Sequence, residues 1–458
     1  MSVTEPDSHQ ATPIRSASDL VEIFADARKP RADWRVGAEM EKFGVAEATG
    51  VPIDYDGDRG VLKILRALAE RHGWAPESEK PGGPILSLGR GKAQITLEPG
   101  SQLELSGSPF NTIHEICSEF HGHMEELGSI SKELGVRWMG LGFHPFAKRA
   151  ELGFVPKARY AIMNDYLPTR GGHALDMMQR TCTVQANFDY DSEKDAMQKM
   201  RVGLKLSPLT TAIFANSPWY EGAPHGGLTY RGKVWLDVDP DRSGLLPGLF
   251  GEKASFEGYA EWALDVPMFL IKRGGQVLRN TGQTFRTFWK SGFEGHHATT
   301  EDWHLHLNTM FPEVRLKKTI EIRGADAQGR ATRCALPALW TGIYYDQRAL
   351  DACDAMTADW THAELDELRR SIWQKGLRAI FRGKSLVETA QRVVEIADQA
   401  LERRAMSRSD GKDERVHLAK LKELVARGKT PADALLEDMG SATDFRREVM
   451  DLADLTPR

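Results

Sequence analysis

The sequence predicts an α+β fold, in which a mostly antiparallel sheet carries helices on one side and a helical region ends the chain. Two observations support this prediction. Short segments of alternating polar and apolar residues recur at 34–43, 94–107, 180–190 and 315–323, and each places its polar side chains on one face. Such one-sided polarity is typical of antiparallel strands. After about residue 336, helix-forming residues dominate and charges recur at i,i+4 spacing.

Cap and turn residues delimit the elements in the first part of the chain. Residues 1–15 are polar and contain proline, so we expect a loose tail there. Ser16 or Ser18 can cap the first helix, and Gly73 can end the second in a left-handed conformation. The predicted elements are a helix at 18–27, a strand at 34–43, a helix at 58–72, a strand at 85–88, a hairpin at 94–107 that turns at Pro99-Gly100, and a helix at 111–134.

The second part begins with a segment, 140–169, that is rich in glycine, proline and aromatic residues. We interpret this segment as an active-site loop. A helix is predicted at 191–214, with Pro208 as a point where it can break. The remaining predictions are strands at 180–190, 233–239, 266–278 and 315–323, and helices at 361–380, 383–405, 413–427 and 430–453.

Composition excludes several classes of function. Hydrophobic residues make up 41% and charged residues 27% of the 458 residues, as in a globular protein. A net charge of -5 provides no basic surface for nucleic acid, and no apolar run reaches the length of a membrane span. The cysteines lack any CxxC spacing and predict neither a zinc site nor a disulfide framework; they are Cys117, Cys182, Cys334 and Cys353. We therefore expect a cytoplasmic protein.

Glutamates on the polar faces of the predicted strands are the main candidates for a functional site. They are Glu39, Glu41, Glu98, Glu104 and Glu321. If these strands are neighbours, the carboxylates raise one another's pKa values unless cations neutralise them. Mg²⁺ prefers oxygen ligands and shares them with nucleotide phosphates, so the pattern favours a nucleotide-metal site. The alternative is that the strands are not neighbours and each has a wet face. Walker A, GxGxxG, HExxH and GxSxG motifs are absent.

Several longer blocks resemble one known family. They include GAEMEKFG (37–44), ITLEPGSQLELSG (95–107), RYAIMNDYLP (159–168), MMQRTCTVQANFD (177–189) and FPEVRLKKTIEIRGAD (311–326). In order, from about residue 30 to about 400, the chain resembles the plant-type glutamate-cysteine ligases, which also occur in many bacteria. The resemblance implies a glutamine-synthetase-like catalytic fold, with an antiparallel sheet forming a cup, over residues 16–400. Residues 401–458 are expected to form a helical extension.

The reaction that the resemblance implies uses ATP and Mg²⁺. The γ-carboxylate of glutamate attacks the γ-phosphate of ATP, and the amine of cysteine then displaces phosphate to give γ-glutamylcysteine. Glutamate and cysteine are thus the expected small-molecule partners, and the protein is expected to be a monomer or homodimer. Two rival hypotheses remain: a ligase that joins glutamate to a different amine, and a non-catalytic paralogue that binds nucleotide.

The resemblance also implies roles for individual residues. The five glutamates are expected to hold Mg²⁺ or to surround its ligands. The candidates for binding phosphate or the α-carboxylate of glutamate are Arg180, Arg231, Arg273 and Arg323. The candidates for binding the nucleotide are Thr181, Thr183, Gln185 and Asn187. An apolar wall for the cysteine thiol is expected from Met178, Phe269 and Trp340, for which core packing is the alternative.

Overall fold

An antiparallel sheet forms the centre of the computed structural model, which describes residues 12–440 and 443–456. The strands are β1 (Val36–Ala46), β2 (Ala75–Glu77), β3 (Ser87–Arg90), β4 (Ala93–Leu97), β5 (Leu103–Ser106), β6 (Val136–Met139), β7 (Thr183–Phe188), β8 (Trp219–Tyr220), β9 (Ala223–Pro224), β10 (Ser243–Gly244), β11 (Leu270–Arg273), β12 (Gln276–Arg279), β13 (Phe311–Pro312), β14 (Val314–Leu316), β15 (Ile320–Asp326), β16 (Ile380–Phe381) and β17 (Lys384–Ser385). The central sheet has the order β14-β15-β7-β1-β5-β4-β3-β2, and β6 pairs with β1.

Helices surround this sheet, and several of them cover its apolar face. They are α1 (Ala17–Asp26), α2 (Val61–His72), α3 (Ile113–Leu134), α4 (Ala158–Tyr166), α5 (Ala174–Arg180), α6 (Glu193–Ile213), α7 (Tyr230–Val234), α8 (Phe256–Leu264), α9 (Phe285–Ser291), α10 (Thr300–Leu307), α11 (Ala335–Tyr344), α12 (Gln347–Met356), α13 (His362–Lys375), α14 (Leu386–Arg404), α15 (Ala419–Ala426), α16 (Pro431–Met439) and α17 (Phe445–Ala453). α6 packs against β14 and β15, and α11 packs against β7 and β1. The structure confirms the α+β class.

The strand register gathers the polar side chains of different strands on the other face. Glu41 pairs with Glu104 across β1 and β5, and Thr96 pairs with Glu104 across β4 and β5. Glu39 pairs with Gln185 of β7. Because directly paired residues project to the same side of a sheet, these polar groups form one surface. The predicted strands are therefore neighbours, and the alternative of separate wet faces is wrong.

The hairpin of β4 and β5 is attached to α5 through its turn. Gln102 accepts a hydrogen bond from the amide of Gly100 at 2.8 Å, and its side-chain amide donates to the carbonyls of Met178 and Thr181 at 3.2 and 3.0 Å. A Cβ atom on Gly100 would lie 2.4 Å from the carbonyl oxygen of Gln179. Only glycine fits this approach, which fixes the hairpin against the helix.

Some predicted elements differ from the structure. The strand predicted at 233–239 is wrong, because Thr229 caps a short helix there and accepts a hydrogen bond from the amide of Gly232. The segment 140–169 contains α4 and is not all loop. The helix predicted at 191–214 continues through Pro208, because the hydroxyl of Ser207 bonds the Leu204 carbonyl that proline leaves without a donor.

Two predicted strands are hairpins in the structure. The segment 266–278 contains β11 and β12, which turn at Gly274 and Gly275 with φ of 55° and 75°. Similarly, 315–323 spans β14 and the first part of β15, joined at a turn where the amide of Lys317 donates to the carbonyl of Thr319. Glycine adopts positive φ without strain, so Gly274 and Gly275 can form the turn between β11 and β12.

Hydrogen bonds attach the described residues near both ends of the chain to the rest of the structure. Ile14 is buried and its amide donates to the carbonyl of Ala298, so this part of the predicted tail 1–15 is held in place, whereas residues 1–11 lie outside the described residues. The amide of Leu455 donates to the carbonyl of Trp138 on β6. Among the described helices, none has both the length and the apolar composition needed to cross a bilayer.

Candidate active site

Three carboxylates converge on the polar face of the sheet. Single oxygen atoms of Glu41, Glu98 and Glu104 all lie within 4.8 Å of one another. β1 and β5 supply the first and third residues in paired positions, and Glu98 follows β4 at the start of its turn. Oxygen atoms at this spacing are the donor set that a hard divalent cation prefers. We refer to these residues as the carboxylate triad.

Two glutamates on this face, Glu41 of the triad and Glu39 on the same strand, have raised pKa values. Burial, followed by the charges of Glu98 and Glu104, raises the pKa of Glu41 well above its usual value. Burial, Glu321 and Glu104 together raise the pKa of Glu39 to about 7. A divalent cation would favour the ionised form of these groups and offset their repulsion.

Glu321 lies beside the triad and is neutralised by basic side chains. Arg315 binds it with two hydrogen bonds, of 2.6 and 3.0 Å, and Arg323 donates a third at 2.8 Å. Although burial opposes this effect, Arg315, Lys317 and Arg323 hold the pKa of Glu321 well below its usual value. Glu321 is thus outside the three carboxylates that converge, and its partners make it suited to orienting Arg323.

Two of the predicted arginines lie together near this face. Arg323 donates to the side chain of Gln185 at 2.8 Å, and its carbonyl accepts a hydrogen bond from Arg231 at 2.9 Å. Both arginines line a cleft with Thr211 and Glu313. The buried Nε atoms of both have no hydrogen-bond partner among the described residues. Since buried donors are normally paired, these atoms are suited to an anionic ligand.

The other two predicted arginines are occupied by carboxylates. Arg180 bonds Asp176 at 2.8 and 3.0 Å and Glu221 at 2.8 Å. Arg273 makes two hydrogen bonds of 2.7 Å to Asp302 and another to the carbonyl of His297. These contacts are those of structural ion pairs, and neither arginine lines the cavity beside Gln94 and Thr96 that is described next.

A cavity of about 530 Å³ lies against the polar face. Gln94 and Thr96 of β4 form part of its wall, and the hydroxyl of Thr96 donates to Glu104 at 2.7 Å, which connects the cavity to the triad. Lys157 and Arg159 also line it, and their charges interact with Glu98 and Glu104. The volume is in the range of small-molecule sites.

Lys157 and Arg159 were missed as site residues from the sequence. The available signal was weak: both lie in the segment 140–169, and Arg159 opens one of the matched blocks, RYAIMNDYLP. Burial and the neighbouring Arg159 lower the pKa of Lys157 to about 7. Two basic groups beside acidic ones make the cavity suitable for a ligand with several negative charges.

The comparison with known families is decisive. The model of glutamate-cysteine ligase family 2 matches residues 35–451, which is most of the chain.

The chain belongs to glutamate-cysteine ligase family 2.

Plant members of the family are similar over most of both chains. The chloroplastic glutamate-cysteine ligase of Brassica juncea is 43% identical over 93% of this chain and 82% of its own length. The corresponding enzyme of Medicago truncatula is 42% identical, covering 94% and 83%. The glutamate-cysteine ligase of Francisella tularensis, solved in complex with AMP, shares the fold with a TM-score of 0.58 at 11% identity, over 92% of this chain and 87% of that one.

The names of the relatives correct one prediction. The chain was expected to be cytoplasmic, but the plant members of glutamate-cysteine ligase family 2 at 41–43% identity are chloroplastic by name, which contradicts that prediction. Cysteine usage indicates a reducing environment and does not distinguish one such compartment from another.

The apolar wall expected from the resemblance to the ligase family is only partly formed. Phe269 lines the cavity, where the guanidinium of Arg242 lies 3.9 Å from its ring centre. Met178 is buried in α5 and does not line the cavity. Trp340 belongs to α11, on the apolar side of the sheet, with its ring 4.9 Å from that of Tyr344. The structure therefore does not bring Trp340 to the site, and core packing explains its burial.

Two residues of β7, Thr183 and Asn187, contact acidic groups of the candidate site. The amide of Thr183 donates to Glu41 at 2.9 Å, and Asn187 donates to Glu39 at 3.0 Å. The hydroxyl of Thr181 donates to the Met177 carbonyl at 2.7 Å. The bonds from Thr183 and Asn187, together with the bond from Arg323 to Gln185, orient acidic and basic side chains of the candidate site.

Proposed function

We propose that this chain is an ATP-dependent ligase that joins the γ-carboxylate of glutamate to the amine of cysteine. The products are γ-glutamylcysteine, ADP and phosphate, and the intermediate is γ-glutamyl phosphate. The names of relatives at 41–43% identity support this reaction, the first step of glutathione biosynthesis. The observation that carries the proposal is the convergence of Glu41, Glu98 and Glu104 beside a cavity of about 530 Å³.

We assign a Mg²⁺ site to the carboxylate triad. Its oxygen donors and the raised pKa of Glu41 fit a hard cation, and Glu39 is close enough to Glu104 to interact with its charge. When bound, the ion would neutralise phosphate oxygens of ATP. Thr183 and Thr96, which donate to Glu41 and Glu104, would hold these carboxylates in place.

The basic residues are assigned to the anionic groups of the substrates. Arg231 and Arg323 each retain a buried Nε donor and are proposed to contact the phosphoryl group or the α-carboxylate of glutamate. Lys157 and Arg159 are proposed to bind a second anionic group in the cavity. Phosphoryl transfer depends mainly on positioning and charge neutralisation, which these side chains can provide.

A substrate panel tests the proposal. Purified protein with ATP, Mg²⁺ and glutamate is offered cysteine and a series of other amines, and phosphate release is measured together with the dipeptide product. We expect release that depends on both glutamate and cysteine. Release with another amine but not with cysteine would exclude the proposed substrate, and no release with any amine would support the non-catalytic rival.

A further inference from the structure

A buried arginine lies behind the aromatic part of the cavity wall. Arg242 directly precedes β10, and its side chain has no exposed surface. Its guanidinium carbon lies 3.9 Å from the ring centre of Phe269, which is a close contact between a cation and an aromatic ring. Phe269 and Thr309 line the cavity of about 530 Å³, whereas Arg242 does not. The arginine therefore contacts the wall of the cavity and not the space inside it.

Every nitrogen atom of this guanidinium donates a hydrogen bond. Nε donates to the carboxylate of Asp239 at 2.6 Å, and the two terminal nitrogens donate to the carbonyls of Thr309 at 3.2 Å and Pro267 at 2.7 Å. Pro267 lies two residues before Phe269, and Thr309 itself lines the cavity. A guanidinium is planar, and its donors have fixed directions. Arg242 thus joins two segments of the cavity wall in one arrangement.

Other aromatic rings confine Phe269 as well. Tyr166 packs against it in a T-shaped arrangement, with the ring centres 5.5 Å apart, and the ring of Phe311 lies at 6.5 Å. Phe311 is tied to the same arginine, because its amide donates to the Arg242 carbonyl at 2.7 Å. The ring of Phe269 is therefore held from three directions, and Arg242 takes part in two of these contacts.

Stability alone does not explain a charged pair at this place. Arg242 and Asp239 both have fully buried side chains. Removing two charges from water is unfavourable, and well-packed apolar residues of similar volume are often neutral or stabilising in place of a buried ion pair. Apolar residues cannot, however, supply hydrogen bonds in fixed directions to two backbone segments. The arrangement therefore favours a role in fixing the geometry of the wall.

We propose that Arg242 is a positioning residue which, by holding the ring of Phe269, determines which amines the cavity accepts. The inference rests on the proposed function, in which Phe269 belongs to the wall that receives the thiol of cysteine. One methylene group more or less in an apolar pocket changes kcat/KM by about 10–200-fold. A ring that is free to move would admit side chains larger than that of cysteine.

The position of Arg242 also predicts which kinetic constants change. The groups proposed to bind ATP and glutamate are the carboxylate triad and the basic residues Arg231 and Arg323. Arg242 donates to none of these groups, since its three nitrogens are used by Asp239, Thr309 and Pro267. Loss of the guanidinium should therefore raise KM for the amine and leave KM for ATP and for glutamate nearly unchanged.

Arg242→Met tests the inference in the full-length protein. The substitution removes the charge and the donors but keeps a long side chain. Ligation of glutamate in the presence of ATP and Mg²⁺ is measured with cysteine and with homocysteine, which has one more methylene group. We expect KM for cysteine to rise. The preference for cysteine over homocysteine, as a ratio of kcat/KM values, should fall by about 10-fold or more.

Phe269→Leu separates an action through the ring from other effects. In this background the guanidinium has no ring to hold, so Arg242→Met should change the preference by less than it does in wild type. Arg242→Lys keeps a charge opposite Asp239 but lacks the planar group and its fixed donors. It should alter the preference in the same direction by a smaller factor, and it decides the question if Arg242→Met does not fold.

Arg201→Met is the matched control. Arg201, on α6, binds Asp354 through two hydrogen bonds, and its side chain is 15% exposed. It does not line the cavity of Phe269. Its loss should lower the midpoint of thermal unfolding without changing KM for cysteine or the preference between the two amines. Midpoints measured for every variant identify a general loss of structure.

Three results would overturn the inference. One is an unchanged preference between the amines in folded Arg242→Met. Another is an equal effect of Arg242→Met with and without the ring of Phe269. A third is a rise in KM for ATP with no rise for the amine, which would assign this wall to the nucleotide. In each case wild type still ligates cysteine and the proposed function stands, whereas wild type without cysteine-dependent product would refute the proposed function itself.

Discussion

Glu41 is almost fully buried, and its burial together with the charges of Glu98 and Glu104 raises its pKa well above the usual value. Removing ionised groups from water and placing like charges together both cost folding free energy. A chain that made no use of these charges would become more stable by losing one of them. At the scale of single residues, we therefore expect function and stability to respond in opposite directions at the triad.

Replacing Glu41 by Gln tests this expectation. The substitution removes one charge and one potential metal ligand while retaining the shape. Substitution of a residue that only supports a metal ligand typically costs about 10–100-fold, and we expect kcat to fall by more than this. In the absence of Mg²⁺, the midpoint of thermal unfolding should stay the same or rise. Steady-state kinetics over a Mg²⁺ series and thermal unfolding measure the two effects.

Glu388→Gln is the control for this substitution, because Glu388 is exposed on α14 and interacts only weakly with Lys384 at 3.7 Å. It should leave both kcat and the unfolding midpoint unchanged. Normal turnover of Glu41→Gln with normal Mg²⁺ dependence would remove Glu41 from the site.

Glu39 predicts a pH dependence of stability. Its pKa is raised from 4.5 to about 7, so the folded state binds more protons than the unfolded state in this interval. In the absence of Mg²⁺, the contribution of Glu39 to the free energy of unfolding should therefore be most favourable near pH 4.5 and become less favourable as the pH rises to 7. In wild type we expect this decrease in the free energy of unfolding to be about 1–3 kcal/mol, and Glu39→Gln should abolish it. Urea unfolding across this interval measures it, and parallel pH profiles for the two proteins would contradict it.

The glutamates could be found from the sequence, but the cations of the cavity could not. In a strand, the side to which a residue points follows from whether its position is odd or even, so alternation placed Glu41 and Glu104 each on the polar face of its own strand. That these two faces meet was implied by the family resemblance. Lys157 and Arg159 lie at the start of a helix after an irregular segment, and their direction depends on tertiary packing. For the same reason the sequence could not exclude Trp340 or reveal that Asp302 occupies Arg273.

The hairpin of β4 and β5 shows how one element positions the site. Its turn is held against α5 by Gln102 and by the close approach at Gly100. The elements predicted best are those of this kind, in which alternation runs unbroken between clear turn residues. Short helices were predicted worst: α7 has five residues, too few for a helical period to be recognised.

Gly100→Ala tests the role of this contact. The added Cβ would meet the backbone of Gln179, which cannot move like a flexible side chain, so the hairpin must shift. We expect a loss of about 1–3 kcal/mol in the free energy of unfolding, together with reduced kcat because Glu98 and Glu104 move. Denaturant unfolding and kinetics measure both.

Gly122→Ala is the matched control for the hairpin substitution. Gly122 lies within α3, and a Cβ there would meet nothing within 4 Å. Alanine should stabilise the helix by about 0.5–1 kcal/mol without an effect on turnover. Equal effects of the two substitutions would show that the contact at Gly100 has no special role.

At the scale of the whole molecule, the C-terminal region is part of the folding unit. A second apolar cluster combines Phe43, Val45 and Met139 of the sheet with Val449 and Met450 of α17. Of the expected extension at 401–458, α17 is therefore packed against the C-terminal end of β1, the strand that carries Glu41. The sequence predicted one helix at 430–453, where the structure has α16 and α17. It could not predict their packing partners, because these contacts are remote in sequence.

Met450→Ala tests this packing. The side chain is buried, so truncation should cost about 2–5 kcal/mol in the free energy of unfolding. Arg447→Ala, at an exposed position of the same helix, should change it by less than about 0.5 kcal/mol. Chemical denaturation followed by circular dichroism gives both values. An equally small effect of Met450→Ala would indicate that α17 unfolds independently.

The turn between β4 and β5 limits the insertions and deletions that the fold can tolerate in this loop. Strand side chains alternate between faces, so one inserted residue between Glu98 and Glu104 would point Leu103 or Leu105 into the cavity and Glu104 into the apolar core. Most surface turns tolerate insertions. This one cannot change by a single residue without exchanging the two faces of β5, and a functional variant with an altered loop there would need a compensating bulge in the same strand.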